Sequence, residues 1–206
     1  MESFLLPIFY IIVILYSVTI HEVSHGMMAN ALGDSTAKNL GRLTLNPIKH
    51  LDLFGSIILP LFLFLATGFA FGYAKPVPYN PYNLTDCKYG PAKVAFAGPA
   101  SNFILALLFG FSLRFFGDYL PSPLMIDLFS IIVLLNIVLG VFNMFPVPPL
   151  DGHWLLMVFL PPSMETLKVY IYRNSFIIFP IFLIIFMVFV SPLIYWLFRL
   201  ITGVGL

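Results

Sequence analysis

FLLPIFYIIVILYSVTIHEVSH, residues 4–25, is an apolar run that ends in a cluster of ionisable side chains. Its length suits a helix that crosses a bilayer, which takes roughly 20 predominantly apolar residues. On a helix His21 and His25, four apart, lie on one face, so both imidazoles can converge on one metal ion. HExxH sequences also occur by chance in soluble helices that bind nothing. Inside an apolar segment, however, His and Glu are costly unless paired or ligated, which favours the metal reading. Zinc accepts neutral imidazole, needs a third protein ligand at a catalytic site, and leaves a fourth position for water. Glu22, beside the first histidine, is placed to take a proton from that water.

The rest of the chain extends this pattern. Of 206 residues, 60% are hydrophobic, 17% aromatic and 9% charged, and the mean hydropathy is +1.00. An ordinary soluble domain carries about 25% charged residues, so this composition excludes one. Ten Lys/Arg against nine Asp/Glu leave a net charge of +1, with no basic footprint for nucleic acid. One cysteine, Cys87, excludes a disulfide framework and a zinc site of several thiolates, and reads as a reduced thiol in a loop.

Acidic and basic residues are missing between Glu2 and Glu22, Asp52 and Lys75, Lys93 and Arg114, Asp127 and Asp151, and Arg173 and Arg199. These five gaps of 19 to 25 residues are segments A to E. Segment A is not expected to be a cleavable signal peptide, because Glu2 stands where a basic region belongs and no small-x-small cleavage site follows. Residues 33–52 and 72–83, rich in Gly, Pro, Asn and Thr, read as turns and short interfacial β-strands. No piece is large enough for an extramembrane domain, so residues 1–206 are expected to form one integral-membrane domain. The Phe-rich face of segment E (Phe176, Phe179, Phe182, Phe186, Phe189) reads as lipid contact and packing.

Asp151 is the preferred third ligand. It follows segment D in Asn143-Met-Phe-Pro146-Val-Pro148-Pro149-Leu-Asp151-Gly152, where three prolines stop a regular helix. Unwound backbone at membrane depth is tolerated only where it lines a protein cavity or a wet site. The competing reading makes Asp151 a helix N-cap. His153, two residues on, has the chemistry of an alternative ligand or a neighbour of the ligands, but the favoured reading gives it neither role, and His50 reads as an interfacial side chain.

With these residues the chain resembles the site-2 proteases, zinc metalloproteases that cut peptide bonds within membranes. The resemblance rests on HEVSH at 21–25, AGPASN at 97–102 and NMFPVPPLDG at 143–152, and LNPIKHLD at 45–52 and AKPVP at 74–78 look like the small prokaryotic branch. It covers roughly residues 4–160, and segment E matches only as an apolar helix. It implies His21, His25 and Asp151 as ligands of one zinc, Glu22 as catalytic base, and Asn143 as a polar group holding the scissile carbonyl. Ser24 and His153 stand where small residues are frequent in the family. No PDZ-like or nucleotide-sensing domain is expected.

Charge asymmetry predicts the topology. If all five segments cross, the ten basic residues divide evenly, which favours no orientation. If segment B dips in and returns, Lys38, Arg42, Lys49, Lys75, Lys88, Lys93, Lys168 and Arg173 share one side, and only Arg114 and Arg199 lie on the other. That reading also brings His21 and Asp151 to the same face. The expected fold is therefore an all-α polytopic membrane protein with four transmembrane helices and a re-entrant segment. The N-terminus is then outside the cell membrane and the active site towards the cytoplasm. Expected partners are the lipid bilayer and transmembrane protein substrates, with no nucleic acid. A metal transporter or channel using the same His/Asp site is the competing class.

Overall fold

The computed structural model describes residues 2–68 and 72–204. The first apolar run becomes α1 (Glu2–Ala31), one continuous helix that carries the whole HExxH sequence. The apolar run after Lys93 lies in α4 (Gly90–Phe116), and the next forms α5 (Pro123–Asn143). These three are the described helices long and apolar enough to cross a membrane. Helix α4 is central and packs on both α1 and α5. Their outer faces carry exposed Ile8, Ile11 and Ile12 on α1 and Ile104, Leu108, Phe111 and Phe115 on α4. So large an apolar exterior suits hydrocarbon rather than water.

Segment E is not one straight helix. It is divided between α8 (Ser175–Phe189) and α9 (Ser191–Thr202). Pro192 has no N–H to give to Val188, so the helix ends there and restarts. The short α7 (Glu165–Arg173) leads into α8 through a bend of 78°. A fourth span is reached only when this bent pair is counted as one, among the described residues. Phe198 of α9, fully buried, joins Ala106, Val133 and Ile137 in the core shared by α4 and α5. The Phe-rich run divides: Phe182 and Phe186 are buried in the packing expected of it, while Phe176 and Phe189 are exposed.

Segment B enters through a π-helical turn (Leu53–Ile58) and continues as α3 (Leu59–Thr67). Gly68, at φ 74°, takes the left-handed conformation that ends α3. At about 1.5 Å per residue, the 15 residues from Leu53 to Thr67 rise about 22 Å, short of the roughly 30 Å hydrocarbon core. The two ends of the segment meet. Tyr73 N donates to Gly55 O (3.0 Å), Lys75 N to His50 O (2.9 Å), and Ser56 Oγ to Tyr73 O (2.9 Å).

The expected interfacial strands are corrected. Among the described residues 33–52 and 72–83 there is no strand. Instead Thr36–Asn39 forms α2, Pro47–His50 and Pro81–Asn83 form 3-10 turns, and 72–80 is irregular. Pro76, Pro78 and Pro81 have no N–H, so no continuous ladder forms on both edges of this stretch. The donors that remain go to separate acceptors. Val77 N bonds Glu22, and Asn80 N bonds Asp34 at 2.7 Å. Buried Asp34 also accepts from Thr36 Oγ1 (2.6 Å) and Asn83 Nδ2 (2.8 Å), which ties the end of α1 to the 80–83 turn. Burial pushes the Asp34 carboxyl up, but these donors outweigh it and hold the group below the usual carboxylate range.

Candidate metal centre

Helix α1 presents His21 and His25 one turn apart, with both side chains buried and the rings nearly perpendicular at 4.7 Å between centroids. Asp151 reaches them from the far end of the chain. Helix α5 ends at Asn143, and residues 144–151 run as turns until α6 (Gly152–Phe159) begins. The prolines therefore interrupt the helix where the sequence placed the break. Phe145 anchors the unwound stretch by packing on Phe182 (4.9 Å) and Phe186 (5.5 Å) of α8. Asp151 flanks α6 at the N-cap position, yet its side chain makes no capping hydrogen bond. Its Oδ2 instead lies 3.0 Å from His21 Nε2 and 3.4 Å from His25 Nε2.

These three donor atoms lie within 4.8 Å of one another, and no other such His/Cys/Asp/Glu group occurs among the described residues. The donor set fits zinc, because two imidazole nitrogens and one carboxylate leave a tetrahedral site one open position. The other ring nitrogens are already engaged. His21 Nδ1 lies 2.6 Å from Asn102 Oδ1, and His25 Nδ1 lies 2.7 Å from the Val94 carbonyl. Both partners belong to α4. So does Gly98, where an added Cβ would stand 2.6 Å from His21 Nε2 and closer still to His25 Nε2. Only a glycine allows α4 to approach the two ligating edges this closely.

Glu22 is not part of the cluster. Its Oε2 accepts a hydrogen bond from Val77 N at 2.8 Å, so the 72–80 segment covers this side of the site. A cavity of about 610 Å³ holds the groups together, with Glu22, His21, His25, Asp151, Asn143 and Val77 in its lining. Asn143 faces the cavity, but its Nδ2 donates to Leu139 O (3.0 Å). The remaining histidines stand elsewhere. His50 is buried with Nε2 at 2.9 Å from Thr44 O, at the end of the Pro47–His50 turn. His153 Nδ1 bonds Leu150 O (2.5 Å) and its Nε2 accepts from the Tyr172 hydroxyl (2.9 Å). With both nitrogens engaged, His153 braces the Asp151 turn against α7 and is not in the cluster.

Sequence reasoning left Asn102, Asn136 and the contact from the Val77 N–H to Glu22 without roles. The two asparagines had a signal: amides inside apolar runs need partners. The Val77 backbone had none, since every residue but proline carries the same group.

The family model described as Peptidase family M50 matches residues 117–188, which include the stretch ending in Asp151. YwhC of Bacillus subtilis (strain 168), named as a zinc metalloprotease, is 38% identical over 189 residues, or 89% of this chain and 80% of the relative. Rip2 of Mycobacterium tuberculosis (strain ATCC 25618 / H37Rv), also named as a zinc metalloprotease, is 30% identical over 202 residues, or 93% of this chain and 73% of the relative. Rip2 of Mycolicibacterium smegmatis is 30% identical over 151 residues, covering 73% of this chain and 57% of that relative. No solved structure matches the chain.

Proposed function

The chain belongs to peptidase family M50 and is a zinc metalloprotease, and from that premise we propose that it hydrolyses peptide bonds in or near the transmembrane segments of membrane proteins. The observation that carries this reading is where the cluster stands. Its two histidines are on a 30-residue apolar helix, and the other helices that position the site, α4 and α5, are also long enough to span. A soluble substrate would have no reason to be served there.

His21, His25 and Asp151 would hold one zinc per chain, which would supply Lewis acidity and lower the pKa of a water in the cavity towards neutrality. Glu22 accepts a proton from that water and later delivers it to the leaving amine. Val77 N–H holds the carboxylate in position for this transfer. Asn143, on the cavity wall, turns its amide from Leu139 O to the scissile carbonyl as charge develops there. A substrate helix hides its amides in i to i−4 hydrogen bonds and must unwind first. The stretch around residues 77–79, or residues 36–46, then pairs with the unwound substrate as an added strand, at Pro76 and Pro78 through carbonyls alone, since neither has an N–H.

We place four spans and one re-entrant segment in the cell membrane, with the cavity towards the cytoplasm. The contacts joining Gly55 to Tyr73 and His50 to Lys75 support a segment B that enters and leaves on one side. A zinc transporter would need ligands along a whole path, whereas the described donors form one group. Proteoliposomes decide between the two readings. Cleavage of a model transmembrane peptide without zinc flux supports the protease, and flux without cleavage overturns it.

A further inference from the structure

A line of polar side chains runs from the metal centre into the apolar core between α1, α4 and α5. Asn102 and Asn136 are completely buried, and Ser17 nearly so. Asn102 Oδ1 faces His21 Nδ1 at 2.6 Å. Asn102 Nδ2 donates to Asn136 Oδ1 (2.9 Å) and, more weakly, towards the Ser17 carbonyl (3.5 Å). Asn136 Nδ2 donates to Ser17 Oγ (2.9 Å) and to the Ile132 carbonyl (2.9 Å).

The direction of this line is set at its far end. A carbonyl only accepts, so Ile132 O obliges Asn136 to turn its Nδ2 that way and its Oδ1 towards Asn102. Asn102 must then turn Nδ2 to Asn136 and Oδ1 to His21. An acceptor opposite Nδ1 makes that nitrogen the protonated one, which leaves the Nε2 lone pair for a metal. His25 receives the same instruction directly from the Val94 carbonyl. His21 has no such fixed acceptor, because an amide can flip and present its NH₂ instead.

We propose that Asn136, acting through Asn102, is a positioning residue that presets His21 as a metal ligand by fixing the amide direction. This inference rests on the zinc reading of the His21–His25–Asp151 cluster, and zinc affinity, not proteolysis, tests it. In detergent-solubilised protein, zinc affinity is measured by competition with a chelator, and the fold by thermal melting without metal. Asn136→Leu leaves only the long 3.5 Å contact to the Ser17 carbonyl to set the Asn102 amide, and is expected to weaken zinc about 10-fold, the low end for loss of a partner behind a metal ligand. Ser17→Ala leaves Ile132 O in place and should change affinity less than about 3-fold. The decisive comparison uses Asn102→Asp, whose two oxygens both accept, so there is no direction left to set. On that background Asn136→Leu should no longer weaken zinc. If Asn136→Leu does not fold, Asn136→Ala replaces it with the same expectations. Unchanged affinity in Asn136→Leu overturns the proposal, as does an equal loss on the Asn102→Asp background, which would indicate packing alone. A wild-type protein that binds no zinc would defeat the metal reading itself.

Discussion

The Glu22 carboxylate accepts the backbone N–H of Val77 at 2.8 Å, across 55 positions of sequence. The residue beside the first histidine is thereby tied to the segment that covers the cavity and not to the metal cluster. A hydrogen bond to a charged group contributes about 1.5–3 kcal/mol, enough to hold one rotamer. Val77→Pro removes this donor in a segment that already contains Pro76 and Pro78. It also trims the buried Val77 side chain, so a Val77→Ala control, which keeps the N–H, separates the two effects. Zinc content should stay at the wild-type level, while peptide cleavage in proteoliposomes falls about 10- to 100-fold, the scale of one such bond. Wild-type turnover would show that the contact does not position Glu22.

Removing any ligand should empty the metal centre. His21→Ala, His25→Ala and Asp151→Ala each leave two donors, too few to hold zinc in competition with a chelator. Metal analysis of the purified variants is expected to give far less than the roughly one zinc per chain of the wild type. A fully loaded Asp151→Ala protein would require another third ligand. The structure offers little choice, since the nitrogens of His153 are taken by Leu150 and Tyr172.

Gly98→Ala probes the approach of α4. The new methyl would stand 2.6 Å from His21 Nε2, so the ligating edges must move. Helix propensity favours alanine over glycine by up to about 1 kcal/mol, so the metal-free protein should melt no lower unless the clash dominates. Zinc affinity should fall at least about 10-fold, as for other disturbances around metal ligands. Wild-type affinity in Gly98→Ala would mean that the histidines bind in a different arrangement.

Cysteine labelling tests the membrane topology. In a Cys87→Ser background, single cysteines at Lys75 and Lys168 should react with an impermeant reagent only from the cytoplasmic side. One at Asp118 should react only from outside. Reaction of the Lys75 position from outside would make segment B a true span and separate the sides of α1 and α5 that carry the ligands.

The meeting of His21, His25 and Asp151 was legible in the sequence where local geometry determines it. Four-residue spacing puts His21 and His25 on one helical face whatever surrounds them, and prolines interrupt a helix before Asp151 in any context. Longer-range relations were not legible. Asn102 and Asn136 are 34 positions apart, and only the packing of α4 on α5 brings them together. The strands expected in 33–52 and 72–83 gave way because a strand needs a partner. Lys75, Val77 and Asn80 each found an acceptor on a different element. The division of segment E at Val190 was not legible either, because an uncharged run sets the length of an apolar segment but not its straightness, which Pro192 breaks.

Glu22→Gln tests the central claim most directly. The glutamine oxygen still accepts from Val77 N–H, so fold, zinc content and peptide binding should all be retained, but the amide cannot take a proton from water at neutral pH. General-base catalysis contributes about 10²–10⁴-fold, so cleavage of a transmembrane peptide in proteoliposomes should fall by at least that factor while the uncut peptide stays bound. Near-normal cleavage by Glu22→Gln, with zinc confirmed in the protein, would contradict the mechanism and assign the proton transfer to another group.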